Sequence, residues 1–257
     1  MLDLNYIKTK NGKINKCGGV VTSMDKWIKL IGSPELARVV ANITGDGHLQ
    51  LKDWRGLVSF YSNDIKAINN LKDKFNKLFG IKGHVYVDNR VNRRYKLFFI
   101  SKPLALFFEK IGVPSGNKTN SIFDVPSWVL QGRKKVKTEY LKGFFTAEGY
   151  IYPTKLKNND VRWRIGMEQY KNEKIKDRGK KYMEQLREML KNFKINSSPV
   201  RFNGHNIRKD GTRSIGLRFD IEKSSFGNFY KYIGFDHSEK QRKLLFAMRG
   251  HNRCARV

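Results

Sequence analysis

One nine-residue pattern is written twice in this chain. The first copy is Val39-Val40-Ala41-Asn42-Ile43-Thr44-Gly45-Asp46-Gly47 and the second is Leu141-Lys142-Gly143-Phe144-Phe145-Thr146-Ala147-Glu148-Gly149. Each is a mostly apolar helical run ending in a small residue, an acid and a glycine, and the acids Asp46 and Glu148 stand 102 residues apart. A duplication of this kind implies a pseudo-two-fold molecule made of two copies of one supersecondary unit. Ser33 reads as the N-cap of the first helix and Pro34 as its first residue. Leu36, Val39, Val40 and Ile43 recur at helical spacing, and Gly47 ends the run. The second helix is expected to begin at Thr138 as N-cap.

Both acids then fall at helix C-termini, the negative end of the macrodipole, where a carboxylate is unfavourable by roughly 0.3–1 kcal/mol. Repeated at the same point of a duplication, that choice suggests a task. Ala41 and Gly45, like Gly143 and Ala147, are four apart and share a helix face. A glycine inside a helix costs about 1 kcal/mol relative to alanine, and close backbone approach is the return that would offset it. If the helices pack through these faces, Asp46 and Glu148 lie side by side. Adjacent carboxylates repel unless protonated or bridged by a divalent cation.

The two stretches resemble the paired motifs of the LAGLIDADG homing endonucleases, in their single-chain, two-repeat form. Gly45-Asp46-Gly47 and Leu141 to Gly149 match the motif's small, acid and glycine positions. Ala41 stands where the motif prefers glycine, and Thr44 and Thr146 occupy its first-acid position. The resemblance spans roughly residues 34–250.

After Gly47 the period changes from helical to two. His48–Leu51 and Leu57–Tyr61 read as a hairpin around Asp53-Trp54-Arg55-Gly56, and Ile65 to Phe79 as an amphipathic helix. His84, Tyr86 and Asp88 alternate with Val85 and Val87; Tyr95–Ile100 reads as a further strand and Pro103–Lys110 as a short helix. The second half repeats the order, with Lys180 to Phe193 as its amphipathic helix. Arg162, Arg164, Arg201 and Arg218 alternate with Trp163, Ile165, Phe202 and Phe219, so one face of each strand is read as core and the other as a row of long polar side chains. Phe107 to Gly112 aligns on Phe229 to Gly234 without a gap, and the alignment continues from Lys118 to Lys240 at the same offset of 122.

The expected fold is therefore α+β: two pseudo-symmetric α-β-β-α-β-β-α repeats, with antiparallel saddle-shaped sheets packed through the paired motif helices. The expected division is residues 1–33 as a basic, partly loose N-terminal extension, 34–130 as the first repeat and 131–257 as the second.

Composition agrees with a nucleic-acid partner. Lys and Arg number 52 against 23 Asp and Glu, a formal net charge of +29, which is the electrostatic footprint of a polyanion binder. A supercharged surface without a partner is the bland alternative, but here the basic residues alternate with core residues along strands. Cys17 and Cys254 are too few for a disulfide scaffold or a cysteine zinc site. Gly204-His205-Asn206 and Gly250-His251-Asn252 lack metal-finger spacing. No run reaches the ~18 apolar residues of a membrane span, and no apolar signal region opens the chain. The expected setting is intracellular: the cytoplasm or nucleoid of a prokaryote, or an organelle matrix, with no membrane association and no secretion.

The resemblance implies a monomeric, site-specific endonuclease acting on double-stranded DNA. Asp46 and Glu148 would hold Mg2+, with the carbonyls of Gly45 and Ala147 as further ligands; Mn2+ would substitute, and Ca2+ would bind without supporting cleavage. Lys118 and Lys240 would each lie near a scissile phosphate, and Gln169 would position water. The sheets would read the major groove through Lys52, Arg55, His84, Tyr86, Arg90, Arg93 and Arg94 in the first half. In the second half Arg162, Arg164, Arg201, Asn203, Arg208, Arg213 and Arg218 would do so. The helix ends would meet the minor groove, leaving a double-strand break with short 3′ overhangs at a long asymmetric site. Such proteins are usually encoded within an intron or intein. The alternative is an RNA-binding maturase that assists splicing of its own intron, with little or no nuclease activity.

Overall fold

The computed structural model describes residues 21–52, 55–89, 94–156 and 160–249, with side chains from Asp25 onward. The first half comprises α1 (Val21–Ile28), α2 (Pro34–Thr44), β1 (His48–Leu51), β2 (Gly56–Ser62), α3 (Ile65–Phe79), β3 (His84–Asp88), β4 (Arg94–Ile100) and α4 (Lys102–Lys110). A linker containing the single turn α5 (Ser127–Leu130) leads to the second half. That half comprises α6 (Lys134–Glu148), β5 (Gly149–Lys155), β6 (Val161–Asn172), α7 (Lys176–Lys191), β7 (Arg201–Ile207), β8 (Arg213–Asp220), α8 (Phe226–Tyr232) and α9 (Ser238–Met248).

Each half holds one four-stranded antiparallel sheet, ordered β1-β2-β4-β3 and β5-β6-β8-β7. The expected α+β, two-repeat architecture is the one observed. Alternation sets which face each strand turns inward. Leu49, Val58, Phe60, Leu97 and Phe99 are buried in the first half, and Ile151, Ile165, Met167, Leu217 and Phe219 in the second. Phe75 of α3 stacks on Phe99 at 4.4 Å and lies edge-on to Phe60 at 5.4 Å, closing the first sheet over its helix.

The two halves meet through α2 and α6, the most extensively packed pair of elements. A Cβ added at Gly45 would lie 2.5 Å from Ala147 Cβ, and one added at Gly143 would lie 2.9 Å from Ala41 Cβ. The small residues are therefore the contact itself. Any larger side chain there would push the helices apart, and with them the acids at their ends.

Ser33 caps α2 by accepting from Leu36 N, and Pro34 opens it. Helix α6 corrects the expected start at Thr138: it begins at Lys134 with Arg133 as N-cap, so Thr138 lies within it. Burial of Val136, one turn ahead of buried Tyr140, extends the apolar face upstream and carries the helix with it. Helix α7 likewise starts at Lys176 and ends at Lys191, where a start at Lys180 and an end at Phe193 were expected.

Part of the expected loose extension is ordered. Trp27 of α1 is buried, donates from Nε1 to Phe79 O at 3.1 Å and packs its ring 5.9 Å from Phe107. The basic residues of 1–20, and Cys17, Asp53, Trp54, Arg90, Arg93, His251 and Cys254, lie outside the described residues. Strand β7 is a further correction. It is exposed along its whole length, with Phe202 44% and Ile207 72% exposed, so Phe202 is not core. It is an edge strand paired to β8, and among the described residues the Lys176 ammonium, 5.3 Å over the Phe202 ring, covers its inner face in part.

Candidate active site and nucleic-acid interface

Helix α2 ends at Thr44 with Gly45 as C-cap, so Asp46 follows the helix, whereas Glu148 is the last residue of α6. The Gly45–Ala147 contact brings the two ends together: the Cβ position at Gly45 is 3.5 Å from Glu148 Cγ. Both acids are held up in pKa. For Asp46 burial is the main cause, opposed by the charges of Lys240 and Lys118. Glu148 is pushed up to about 7 by burial and by the neighbouring Asp46 charge, against Lys118 and Lys240. Asp46 at the solvent-exposed rim and half-buried Glu148, whose ionisation the Asp46 charge opposes, form a site that favours a positive charge between them.

Lys118 and Lys240 reach the same seam from opposite halves. The Lys118 ammonium donates to Ile43 O at 2.7 Å and to the carbonyls of Gly45 and Gly47. Burial lowers its pKa to about 8, with Glu148 and Asp46 acting the other way. Lys240 donates to Thr146 O at 2.9 Å and Gly149 O at 2.8 Å, and burial lowers its pKa too. Gly47 and Gly149 are equivalent positions of the repeat, so the two lysines grip equivalent carbonyls. His48 stands beside this seam, and burial together with the charges of Lys118 and Lys96 lowers its pKa.

Gln169 sits on the inner face of β6 between Met167, which pairs with Gly149, and Lys171. It is buried and its Oε1 has no hydrogen-bond partner. Among the described residues no group of three or more His, Cys, Asp and Glu side chains is placed to hold a metal. Any metal at the seam therefore rests on two carboxylates plus backbone oxygens, a donor set of the hard, oxygen-only kind that suits Mg2+. Gly45 O already accepts from Lys118 but keeps a second lone pair.

Sequence alone did not single out Arg38 or Asp236. Arg38, buried on α2, donates from Nε to Glu139 O at 3.0 Å, pairs with the Glu139 carboxylate at 2.7 Å and with Asp236. Asp236 also pairs with Lys142 at 3.2 Å and donates its backbone N–H to Thr146 Oγ1 at 3.0 Å. The first half thus holds the segment that leads into Lys240.

The outer sheet faces carry the residues expected to meet nucleic acid. In the first half His84 and Tyr86 are exposed, Arg94 lies 4.9 Å over the Tyr61 ring, Arg55 is half-buried and Lys52 exposed. Arg94 also pairs with buried Asp88 at 3.4 Å. In the second half Arg162, Arg164, Arg201, Asn203 and Arg218 share one face by register. Arg218 is buried there. It donates to Tyr152 Oη at 2.7 Å and Asp220 Oδ1 at 3.0 Å, and its guanidinium lies 4.3 Å over the Tyr150 ring. Asp220 further pairs with Arg201, with Arg164 at 3.7 Å and with the Tyr150 hydroxyl at 2.6 Å. Asn203 donates to Glu168 Oε1 at 2.9 Å. A surface hollow beside Asp220, lined by Arg162, Arg164 and Arg201, lies on this face and away from the acids. Arg213 is exposed and 3.7 Å from Glu173. Arg208, beyond the end of β7, is docked on Thr119 Oγ1 at 2.6 Å.

The geometry defines a class: a two-repeat α+β protein whose paired helices deliver two acids and two lysines to one seam beneath two basic sheets. Residues 135–234 match the family model described as LAGLIDADG-like domain. Among solved structures, mesophilic variants of the homing endonuclease I-DmoI match with a TM-score of 0.52 at 15% identity, over 80% of this chain and 94% of that one. A second I-DmoI structure, in complex with its target DNA and in the presence of manganese, matches with a TM-score of 0.50 at 14% identity, over 79% and 96%. This chain carries the LAGLIDADG homing endonuclease fold in single-chain, two-repeat form.

Among curated relatives, the tRNA-splicing ligase RtcB of Pyrococcus furiosus is 26% identical over 80% of this chain but only 22% of the ligase. The replication factor C small subunit of Methanocaldococcus jannaschii is 30% identical over 87% of this chain and 12% of that protein. The chain spans less than a quarter of the length of the curated relatives it matches. No described helix is long and apolar enough to cross a membrane.

Proposed function

We propose that this chain is a site-specific, metal-dependent endonuclease of double-stranded DNA. The observation that carries the reading is the seam. Two carboxylates, exposed Asp46 and half-buried Glu148, stand where α2 and α6 meet, and Lys118 and Lys240 grip the equivalent carbonyls of Gly47 and Gly149 beside them. Asp46 and Glu148, with the backbone oxygens of Gly45 and Ala147, would hold Mg2+ or Mn2+. When bound, such an ion polarises the scissile phosphate and lowers the pKa of a coordinated water.

The chain's own residues do the rest. Lys118 and Lys240, each offered from one half, offset the charge that develops at one scissile phosphate apiece. Gln169 supplies a buried, unpartnered oxygen able to orient water beneath the seam. The two outer sheet faces hold the duplex, phosphate contacts setting register and base-edge contacts setting sequence. Residues 34–130 and 131–257 are the halves, one for each half-site, and a single chain suffices.

The relatives support a further part of this reading. A splicing ligase and a replication factor have unrelated tasks, and each is matched over a minor part of its length. We infer a module carried inside host genes, as an intein or intron product is. The test is cleavage-site selection from a randomised duplex library with Mg2+. Recovery of one long asymmetric site cut on both strands is the expected result. A protein that binds structured RNA and cuts no duplex would move the maturase reading ahead.

A further inference from the structure

Among the described residues Lys171 is the one fully buried lysine, 2% exposed on the inner face of β6. An ammonium there is costly unless its donors are satisfied. A methionine would fill the stem's path without that cost, so the buried amine needs a reason. The path itself is kept open by Gly179 of α7, where a Cβ would lie 2.6 Å from Lys171 Cγ.

All of its polar partners lie in the linker between the halves. Lys171 Nζ donates to Lys118 O at 2.7 Å and Ser121 O at 3.1 Å, and stands 3.6 Å over the Phe123 ring. The end of β6 adds to the grip: Asn172 N donates to Thr119 O at 2.9 Å.

The two seam lysines differ in what fixes their backbone. Lys240 lies in the first turn of α9, in regular helical backbone. Lys118 lies in an irregular stretch between α4 and α5, where no helix or strand fixes it. A side chain as long as lysine delivers its ammonium only as accurately as its backbone is held. By the register of the two sheets, Ser59 stands where Gly166 does, so the first-half position equivalent to Lys171 is Asp64, the exposed N-cap of α3. Among the described residues the first repeat shows no matching device for Lys240.

We propose that Lys171 is a positioning residue for Lys118: a buried lysine of the second half that fixes the backbone from which the first half's lysine reaches the seam. The kinetic part of this inference rests on the nuclease reading, and a second readout does not. First, single-turnover cleavage with Mg2+ is followed on each strand separately, for Lys118→Met, Lys171→Met and the double variant. The strand slowed by Lys118→Met should be slowed about tenfold by Lys171→Met, the other strand less than twofold, and the double variant should be little worse than Lys118→Met alone.

Second, mass-spectrometric mapping of amine labelling on the intact protein should show Lys118 labelled severalfold faster in Lys171→Met, with Lys240 unchanged. Equal slowing of both strands, or unchanged Lys118 labelling, overturns the proposal. Should the wild type cut no duplex, the nuclease reading fails and the labelling decides this one. Should Lys171→Met not fold, Phe123→Leu, which removes the ring beneath the ammonium, takes its place in both measurements. It should give the same strand bias and labelling change, smaller in size, and their absence there overturns the proposal as well.

Discussion

The outer faces of the two sheets occupy equivalent places in the repeat and are built from different chemistry. On the first, cations rest on rings. Arg94 and Lys96 lie 4.9 and 5.4 Å over Tyr61, and His84 stacks 5.5 Å from Phe98. The strands of that sheet carry one carboxylate, the buried Asp88. On the second, cations are gathered by acids. Asp220 joins Arg164, Arg201, Arg218 and Tyr150, while Glu168 takes Asn203. A ring face attracts a cation without fixing its rotation. A carboxylate hydrogen-bonded to a guanidinium fixes its plane. The first face, where Arg94 alone of these cations is also tied to a carboxylate (Asp88, at 3.4 Å), therefore offers looser positive charge, and the second, where carboxylates hold Arg164, Arg201 and Arg218, offers oriented donors with part of their charge already offset. Affinity should come mainly from the first half, and discrimination between sequences from the second.

The seam is where this contrast should vanish, and it should give the largest effect. Asp46→Asn or Glu148→Gln should slow cleavage of both strands alike, on the order of a thousandfold, since several kcal/mol of transition-state stabilisation are removed. Binding to duplex in Ca2+ should persist. A variant that still cuts one strand at the wild-type rate would show that the acids are not shared between halves.

Next in size is Asp220→Asn. Releasing three arginines should reduce discrimination at second-half positions by about 1–3 kcal/mol per affected base pair, with first-half positions untouched. Binding to duplexes carrying single base-pair changes measures this, and an equal loss in both halves would erase the comparison. Arg94→Ala should act the other way round. It should weaken binding uniformly across sequences and lower the slope of log K against log salt by roughly one. A change in sequence preference instead would mean that the ring-borne cations read bases as well.

The smallest effect concerns acid. Burial works to raise the Asp220 pKa, but hydrogen bonds from Tyr150 and Arg218 and the charges of Arg218 and Arg201 outweigh it and hold the pKa below the ordinary 3.8. A depressed carboxylate adds stability that is fully present above its unfolded pKa and is lost as pH falls through the folded one. The wild type should therefore lose stability more steeply than Asp220→Asn as pH falls below about 4, as read by denaturant midpoints. Identical slopes would mean that the acid is not under the tension its partners imply.

Much of this molecule could be read from the chain because its signals are local. The ends of α3, Ile65 and Phe79, follow from apolar spacing, and the α2–α6 contact follows from small residues four apart. Strand alternation told which face a residue occupies but not what it meets there. Arg218 was assigned to the right face, yet its partners Tyr150 and Tyr152 are more than sixty residues away in sequence, and nothing local foretells them. Lys171 sits among lysines and arginines, and only Gly179 on a different element makes room for it. Trp27 was missed because the helix that carries it is short and follows a run of lysines and glycines. A lone tryptophan in such a segment was the one available signal.

The grip of Lys171 on the linker bears on how such a chain could be recombined. By covalent order, Lys118 belongs with the first repeat; by what holds it, it belongs with the second. A half-exchange between two relatives that joins the parents at Ser127 would take Lys118 from one and its holder from the other. A junction just after Lys110 would move the linker together with β6 and α7 and keep that fit intact. The useful boundary for shuffling thus lies some sixteen residues before the start of α5.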